Sequence, residues 1–390
     1  MKFFFNSCSF YFSLWCIYLL QGTLYESGSM LSQVILALIL AMSLMHAWRV
    51  RTTKLLYFKG YYLLLIMFTF YGILLLLTDG SHTQGLAIRP ATINYTKAIY
   101  ISLLPICSCY YYTKKGYLNN NTFPLWVCAF FIVAVAEYFR LQREVLEKFL
   151  TTDEDITNNM GYIFVGLMPC FLVFKKKLYK YIGIVACMLF VLFSMKRGAM
   201  IVGMVGVLII LYTDIKHFRG VRKNIFILLV GVVGFVVFSF LQDNLFQNDF
   251  FNQRIEQTME GSSSGRDVIY STLWNSYINK FNIFHQLFGM GADGTLKVTF
   301  NYAHNDWLEI LINQGLVGVV LFFSYWIFFI RTVKDNRYSL IVRQVLFIIF
   351  VITFLRTLFS MSINDNSIFL CSALGFALAD GFGMGITNKI

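Results

Sequence analysis

An all-α, polytopic integral membrane protein is the fold class this sequence predicts, and three observations predict it. Hydrophobic residues make up 58% of the 390 positions and charged residues only 13%, too few charges to clothe a soluble domain of that length. The mean hydropathy of +0.65 agrees. The apolar residues fall in runs near the length of a bilayer core and without strand alternation, and only helices or closed barrels satisfy their backbone in lipid. The net charge of +12 would suggest a nucleic-acid partner in a soluble protein. In a membrane protein the placement of Lys and Arg matters more than their sum, so no nucleic acid is expected.

About twelve spans are predicted, each near the length a crossing helix needs. They lie at residues 3–20, 30–47, 55–77, 98–112, 123–139, 160–174, 178–195, 197–212, 224–241, 316–330, 341–359 and 366–385. The first follows Lys2 and has no small-x-small cleavage site after Leu20, so a span is expected there rather than a removed signal. Cysteines 8, 16, 107, 109, 128, 170, 187 and 371 all sit in apolar stretches and read as small core hydrophobes rather than disulfides or zinc ligands. No internal repeat stands out, which weakens transporter folds built from duplicated halves.

Alternating the spans from a cytoplasmic N-terminus puts Arg49, Arg51 and Lys54 on the cytoplasmic side. Lys114 and Lys115, Lys175 to Lys177, Lys216 to Lys223 and Arg331 to Arg343 join them there. That is the positive-inside pattern. Both termini are then cytoplasmic, and the long loop 242–315 is extracytoplasmic. Arg197, within Lys196-Arg197-Gly198-Ala199, opens a span at its outer end, and Arg356 lies in the outer third of another. A charge inside a span is costly and usually faces a cavity or a partner. Snorkelling to the interface is the plainer reading, above all for Lys196.

The long loop carries the chemistry. Ser262-Ser263-Ser264-Gly265 reads as a helix entry, with Ile269, Tyr270, Leu273, Trp274, Tyr277 and Ile278 at helical spacing behind it. Arg266 falls in the first turn, where a helix N-terminus already favours anions and a guanidinium adds a planar fork suited to phosphate. Taken alone, a solvated pair with Asp267 or Glu260 explains it better. Gly289-Met290-Gly291-Ala292-Asp293-Gly294 spells a dinucleotide fingerprint, but no preceding strand, following helix or nucleotide-bearing compartment is expected there, so it reads as a turn folding the loop back toward the membrane. His304 and Asn305 precede a short amphipathic run, Trp307 to Asn313, which Gly315 breaks before the next span. An interfacial helix with Trp307 at the headgroup level is expected there. An imidazole can take a proton from a hydroxyl near neutral pH. No second His or Cys stands at ligand spacing, so no metal site is expected. Thr152-Asp153-Glu154-Asp155 reads as a solvated loop rather than a cation site. The sequons at Asn94 and Asn120 carry little weight.

Ser264-Gly265-Arg266 with Trp274, Gly289-x-Gly291, His304-Asn305 and Gly315-Leu316-x-Gly318 together resemble the shared domain of O-antigen polymerases and O-antigen ligases, bacterial enzymes that transfer lipid-linked glycans. Lys196-Arg197-Gly198-Ala199 resembles the start of the span that opens that domain, and Thr157 to Tyr162, ahead of Pro169, a segment upstream of it. The likeness covers roughly residues 157–320. It divides the chain into an N-terminal transmembrane scaffold, 1–156, a catalytic region, 157–320, and C-terminal helices, 321–390.

The resemblance implies a GT-C-like membrane glycosyltransferase of hexosyltransferase type in the bacterial inner membrane, nucleotide-independent and without cofactor or required metal, its active site on the outer face. Arg197 and Arg266 match arginines that hold a lipid diphosphate, and His304 the histidine that assists the acceptor. Arg356, for its depth, and Asn305 are added as substrate-binding candidates. The expected partners are an undecaprenyl-diphosphate-linked oligosaccharide donor, a glycan acceptor, membrane lipid, a chain-length regulator and a flippase. Polymerisation of a surface polysaccharide (O-antigen, capsule or exopolysaccharide) is the favoured function. The alternatives are ligation to lipid A-core in lipopolysaccharide assembly and, in another class, a lipid-linked oligosaccharide flippase. A flippase would spread its basic residues through the depth of the bundle.

Overall fold

The computed structural model describes residues 6–77, 81–84, 87–90, 98–152, 158–216, 220, 224, 228, 231, 266–299, 301–363 and 368–383. The elements are α1 (Ser7–Leu19), α2 (Met30–Val50), α3 (Leu56–Leu77), a hairpin of β1 (Ser81–Gln84) and β2 (Ala87–Pro90), α4 (Pro105–Lys114), α5 (Phe123–Thr152) and α6 (Met160–Leu167). They continue as α7 (Lys177–Phe193), α8 (Arg197–Ile215), α9 (Arg266–Asn279), α10 (Ile283–Phe288), α11 (Gly294–Thr299), α12 (Asp306–Val333), α13 (Leu340–Phe359) and α14 (Ile368–Leu378). Among the described residues, α2, α3, α5, α8, α12 and α13 are long and apolar enough to cross a membrane. Shorter apolar helices stand at α1, at α6 with the turn that follows it, and at α14. The protein is thus a helical, polytopic membrane protein. Six helices meet the length and composition of a span, against the about twelve expected from hydropathy, and the expected span at 224–241 lies largely outside the described residues.

Local chemistry explains the main departures from the expected bounds. Pro169 follows α6 directly, and the chain there tightens into a 3₁₀ helix over Met168–Val173 instead of continuing as one span. α5 runs on to Thr152, well past the end of its apolar stretch, because Arg140 bridges Glu137 at 2.8 Å and Glu144 at 2.5 Å, one turn to either side. Hydropathy ends where the membrane ends, but helical hydrogen bonding does not. The β1–β2 hairpin was not anticipated.

One of the shorter apolar helices is the most enclosed. Every residue of α14 is buried, consistent with a helix that is hydrophobic all round. It packs on α4 so closely that a Cβ at Gly375 would stand 2.6 Å from Cys109 Cβ and 2.7 Å from the Ile106 carbonyl oxygen. α3 and α12 pack along one another, joined by the hydroxyls of Tyr57 and Tyr325 at 3.1 Å. Ile66, Ile132, Leu208 and Val320 face outward on different helices, an apolar exterior that fits lipid and not water. All eight cysteines are free, and all but Cys16 and Cys128 are buried. Asp153 to Asp155 and the sequon at Asn94 lie outside the described residues.

Candidate functional site

The C-terminal end of α13 is where the predicted residues meet. The Phe359 carbonyl oxygen accepts from Tyr162 Oη at 3.0 Å and from Arg266 Nη1 at 3.3 Å, which brings α6 and the first residue of α9 to one point. α8 reaches it through Gly198, where a Cβ would stand 2.0 Å from Tyr162 Oη and 2.9 Å from Phe359 Cβ. Arg197, beside Gly198 and half-buried, is the first residue of α8. Arg356, one turn before the end of α13, is fully buried with its guanidinium carbon 5.6 Å from the Tyr162 ring.

His304 enters from the other side, immediately before α12. Its neighbour Asn305 is the N-cap, its Oδ1 accepting from Trp307 N at 3.0 Å and Leu308 N at 3.2 Å. The Asn305 side-chain amide also donates to the Leu358 carbonyl at 3.3 Å, tying the histidine segment to the same end of α13. Trp307 adds a third tie, donating from Nε1 to Thr357 Oγ1 at 3.0 Å and packing on the Phe322 ring at 4.7 Å. The Trp307 indole is thus packed against protein, because α13 offers its nitrogen a partner.

His304 is solvent-accessible, and both its surroundings and its neighbours disfavour the charged ring. Partial burial, then the positive charges of Arg266 and Lys196, lower its pKa to about 4. Because the ring still reaches water, the two cations are the firmer cause. Both leave a neutral imidazole at pH 7. Lys196, for which the sequence left snorkelling and a cavity-facing place both open, belongs to the electrostatic surroundings of His304.

Backbone strain gathers at the same place. Among the described residues, Met195 (φ +52°), Asp293 (φ +55°) and His304 (φ +53°) are left-handed without being glycine, and the only other is Asp380. Each costs about 1–3 kcal/mol and persists only where its surroundings over-determine it. Met195 makes the turn into Lys196 and Arg197.

The glycine-rich stretch acts as the turn expected of it. α10 ends at Gly289 (φ +76°), whose absent Cβ leaves room for the Asn313 carbonyl, and Gly315 (φ +67°) interrupts α12 against Leu287 and Gly289. The break frees carbonyls in α12, and Met290 N and Gly291 N donate to those of Ile312 and Asn313 at 2.8 and 3.0 Å. From α3, the Tyr71 hydroxyl donates to the Phe288 carbonyl at 2.5 Å. The loop is thereby locked to the membrane helices beside His304.

Beneath it, Asp293, Asp306, Glu309 and Asn313 line a small cavity with Met361 and Ile363. Burial raises Asp293 to about 6, against the opposing charge of Lys297. Among the described residues no group of three or more His, Cys, Asp or Glu is placed to hold a metal ion.

Sequence reasoning selected Arg197, Arg266, His304, Asn305 and Arg356 but assigned nothing to Tyr162, Asp306 or Glu309. Tyr162 stood in a segment singled out by resemblance alone, and its carbonyl partner lies 197 residues away. Residues 182–323, from within α7 to within α12, match the family model described as O-Antigen ligase. The matched stretch contains Lys196, Arg197, Arg266, His304 and Glu309, while Tyr162, Arg356 and Phe359 lie outside it. The comparison with curated proteins returned no match. The residues that meet at the end of α13 thus lie within or beside a stretch that is similar to the O-antigen ligase family.

Proposed function

We propose that the protein is a glycosyltransferase that polymerises a surface polysaccharide, moving a growing glycan from undecaprenyl diphosphate onto the next lipid-linked repeat unit. The observation that carries this reading is the meeting of a neutral imidazole with a group of cations at one place, His304 beside Arg266 and Lys196. The acceptor hydroxyl attacks the anomeric carbon as its proton passes to His304 Nδ1 or Nε2. A new glycosidic C–O bond forms while the bond from that carbon to the diphosphate breaks. The electron pair leaves on undecaprenyl diphosphate, and the guanidiniums of Arg197 and Arg266 stabilise the charge that develops there. A single displacement of this kind inverts the anomeric centre. Arg356, being buried, contributes positive potential from beneath Tyr162 rather than a contact.

A base with a pKa near 4 is weak for a sugar hydroxyl. The donor itself corrects this. A bound diphosphate neutralises the cations that hold the imidazole down, so His304 becomes the stronger base when the leaving group is in place. Transfer is thereby coupled to donor occupancy.

The reading includes a GT-C-like architecture, a cytoplasmic N-terminus and a site on the outer face of the inner membrane, supported by the basic short connectors. A chain-length regulator and a flippase are its expected partners. A second reading, ligation to lipid A-core or another acceptor, is favoured by the description of the matching family. Reconstitution of the full chain in proteoliposomes with lipid-linked repeat units alone separates the two. Products longer than one repeat are expected for the polymerase, and no product until a separate acceptor is added would overturn it in favour of the ligase.

A further inference from the structure

His304 holds a left-handed backbone conformation, and the helix that follows it reaches back to hold the residue in front of it. Glu309, in the first turn of α12, is buried at 5% exposure. Its Oε1 accepts from the backbone N–H of Ala303 at 2.5 Å, on the far side of the histidine from its own helix. Its Oε2 accepts from Thr295 Oγ1 at 2.7 Å and Asn313 Nδ2 at 3.3 Å, and Asn313 Oδ1 accepts in turn from Thr295 N at 3.0 Å. An acidic side chain near a helix start usually reaches back to the N-cap amide. This one reaches two residues beyond the cap, Asn305, so that the arc carrying His304 is closed at both ends by α12 and braced against α11.

We infer that Glu309 is a positioning residue for His304: by holding the Ala303 amide and the Thr295 hydroxyl it fixes the backbone conformation that sets the imidazole beside Arg266 and Lys196. The inference rests on the reading of His304 as the general base. Asp306 does related work from the next position. It is buried, and its Oδ2 accepts from Ser362 N at 2.9 Å, Ser362 Oγ at 2.6 Å and Ile363 N at 3.3 Å, fixing the start of α12 to the turn after α13. The charged groups around the histidine are Lys196 and Arg197 at the start of α8, Arg266 and Asp267 on α9, Arg356 on α13, and Asp306 and Glu309 on α12 itself. Removing Glu309 alters the distance from His304 to the first four while leaving each in place.

The test uses the full chain in proteoliposomes with lipid-linked repeat units. Glu309→Gln keeps an oxygen for the Ala303 amide and an NH₂ that donates to Thr295 Oγ1, so its turnover stays within about threefold of the parent. Glu309→Ala loses both holds, and a displacement of the base by about 1 Å lowers kcat by about tenfold to a hundredfold with KM little changed. The acid limb of its kcat/KM profile also moves up toward the ordinary imidazole range as His304 leaves the cations. Thr295→Val, which removes one hydroxyl, gives a smaller shift in the same direction and serves if Glu309→Ala does not fold. An unmoved acid limb in Glu309→Ala, or in Thr295→Val in its place, with activity lost only in proportion to folded protein, overturns the positioning role. So does a Glu309→Gln as inactive as Glu309→Ala, since the carboxylate itself would then be required. His304→Ala in the same assay tests the underlying reading separately: if it turns over normally, the general base is elsewhere whatever the Glu309 variants do.

Discussion

On one side of His304 stand Arg266 and Lys196, with Arg197 one residue further along the chain; on the other stand Asp306 and Glu309, each holding neutral donors of the protein itself. The two sides put polar groups to opposite uses. The carboxyl groups are buried and accept from backbone amides, hydroxyls and one side-chain amide of the protein itself, so their hydrogen-bonding capacity is spent on shape. The arginines are only half-buried, and Arg266 donates to the Phe359 carbonyl from Nη1 at 3.3 Å, one of the five donors of its fork. In the proposed reading, one side recognises and the other positions. The pair teaches that the same residue class near a histidine has a different consequence according to whether its hydrogen-bonding capacity is internal or directed outward.

The strongest way to break this comparison is to remove the residue between the two sides. His304→Ala should lower kcat by about 10²–10⁴-fold, the range general base catalysis supplies, while membrane insertion and thermal unfolding stay close to the parent. A variant that keeps normal turnover would leave both sides without the group they serve. Next in size are Arg197→Lys and Arg266→Lys. Each keeps the positive charge and loses the planar fork, so turnover should fall about tenfold or more, without loss of folded protein. Full activity in both would mean that neither guanidinium meets the diphosphate directly.

The sequence made the recognition side legible and left the positioning side dark, and the reason is physical. Arg197 stands out because a guanidinium at the start of an apolar span is costly enough to need a purpose, and Arg266 through the motif around it. His304 stands out through its motif, and Gly289 and Gly315 through glycine's freedom at positive φ. Glu309 looked like one polar residue in an amphipathic run, since nothing local says that its carboxylate reaches past His304 to Ala303 and across to Thr295. Tyr162 gave no periodic signal either, because its partner at Phe359 is set by how α6 meets α13. The membrane helices were read from hydropathy where apolar runs and helices coincide. They were misjudged where salt bridges extend α5 or Pro169 shortens α6.

A pH titration sharpens the comparison with a smaller effect. In the free enzyme the cations hold His304 near 4, so the acid limb of kcat/KM should fall there. With donor bound, the diphosphate offsets those cations, and the acid limb of kcat should lie at higher pH. Coincident limbs would show that the donor does not approach the cations around His304. The same lowered pKa has a stability sign. The unfolded chain protonates His304 near 6.5 and the folded one near 4, so its contribution is complete above 6.5 and is lost as pH falls between the two values.

The smallest effects are expected from two tyrosines, one on each side. Tyr162→Phe removes one of two donors to the Phe359 carbonyl and leaves Arg266 as the other, on the recognition side. Tyr71→Phe removes the donor to the Phe288 carbonyl, which braces the turn against α3 on the positioning side. Each lost hydrogen bond is worth about 0.5–1.5 kcal/mol net. If the two sides differ as argued, the losses surface in different measurements. Tyr162→Phe lets the Arg266 guanidinium re-aim, so its KM for the lipid-linked donor should rise a few-fold at nearly constant thermal stability. Tyr71→Phe touches no group directed at substrate, so its unfolding temperature should drop while KM for the donor is unchanged. Equal effects of both variants on KM would mean that the turn and the arginine side move as one body, and that the division drawn through His304 is a division of chemistry without a mechanical counterpart.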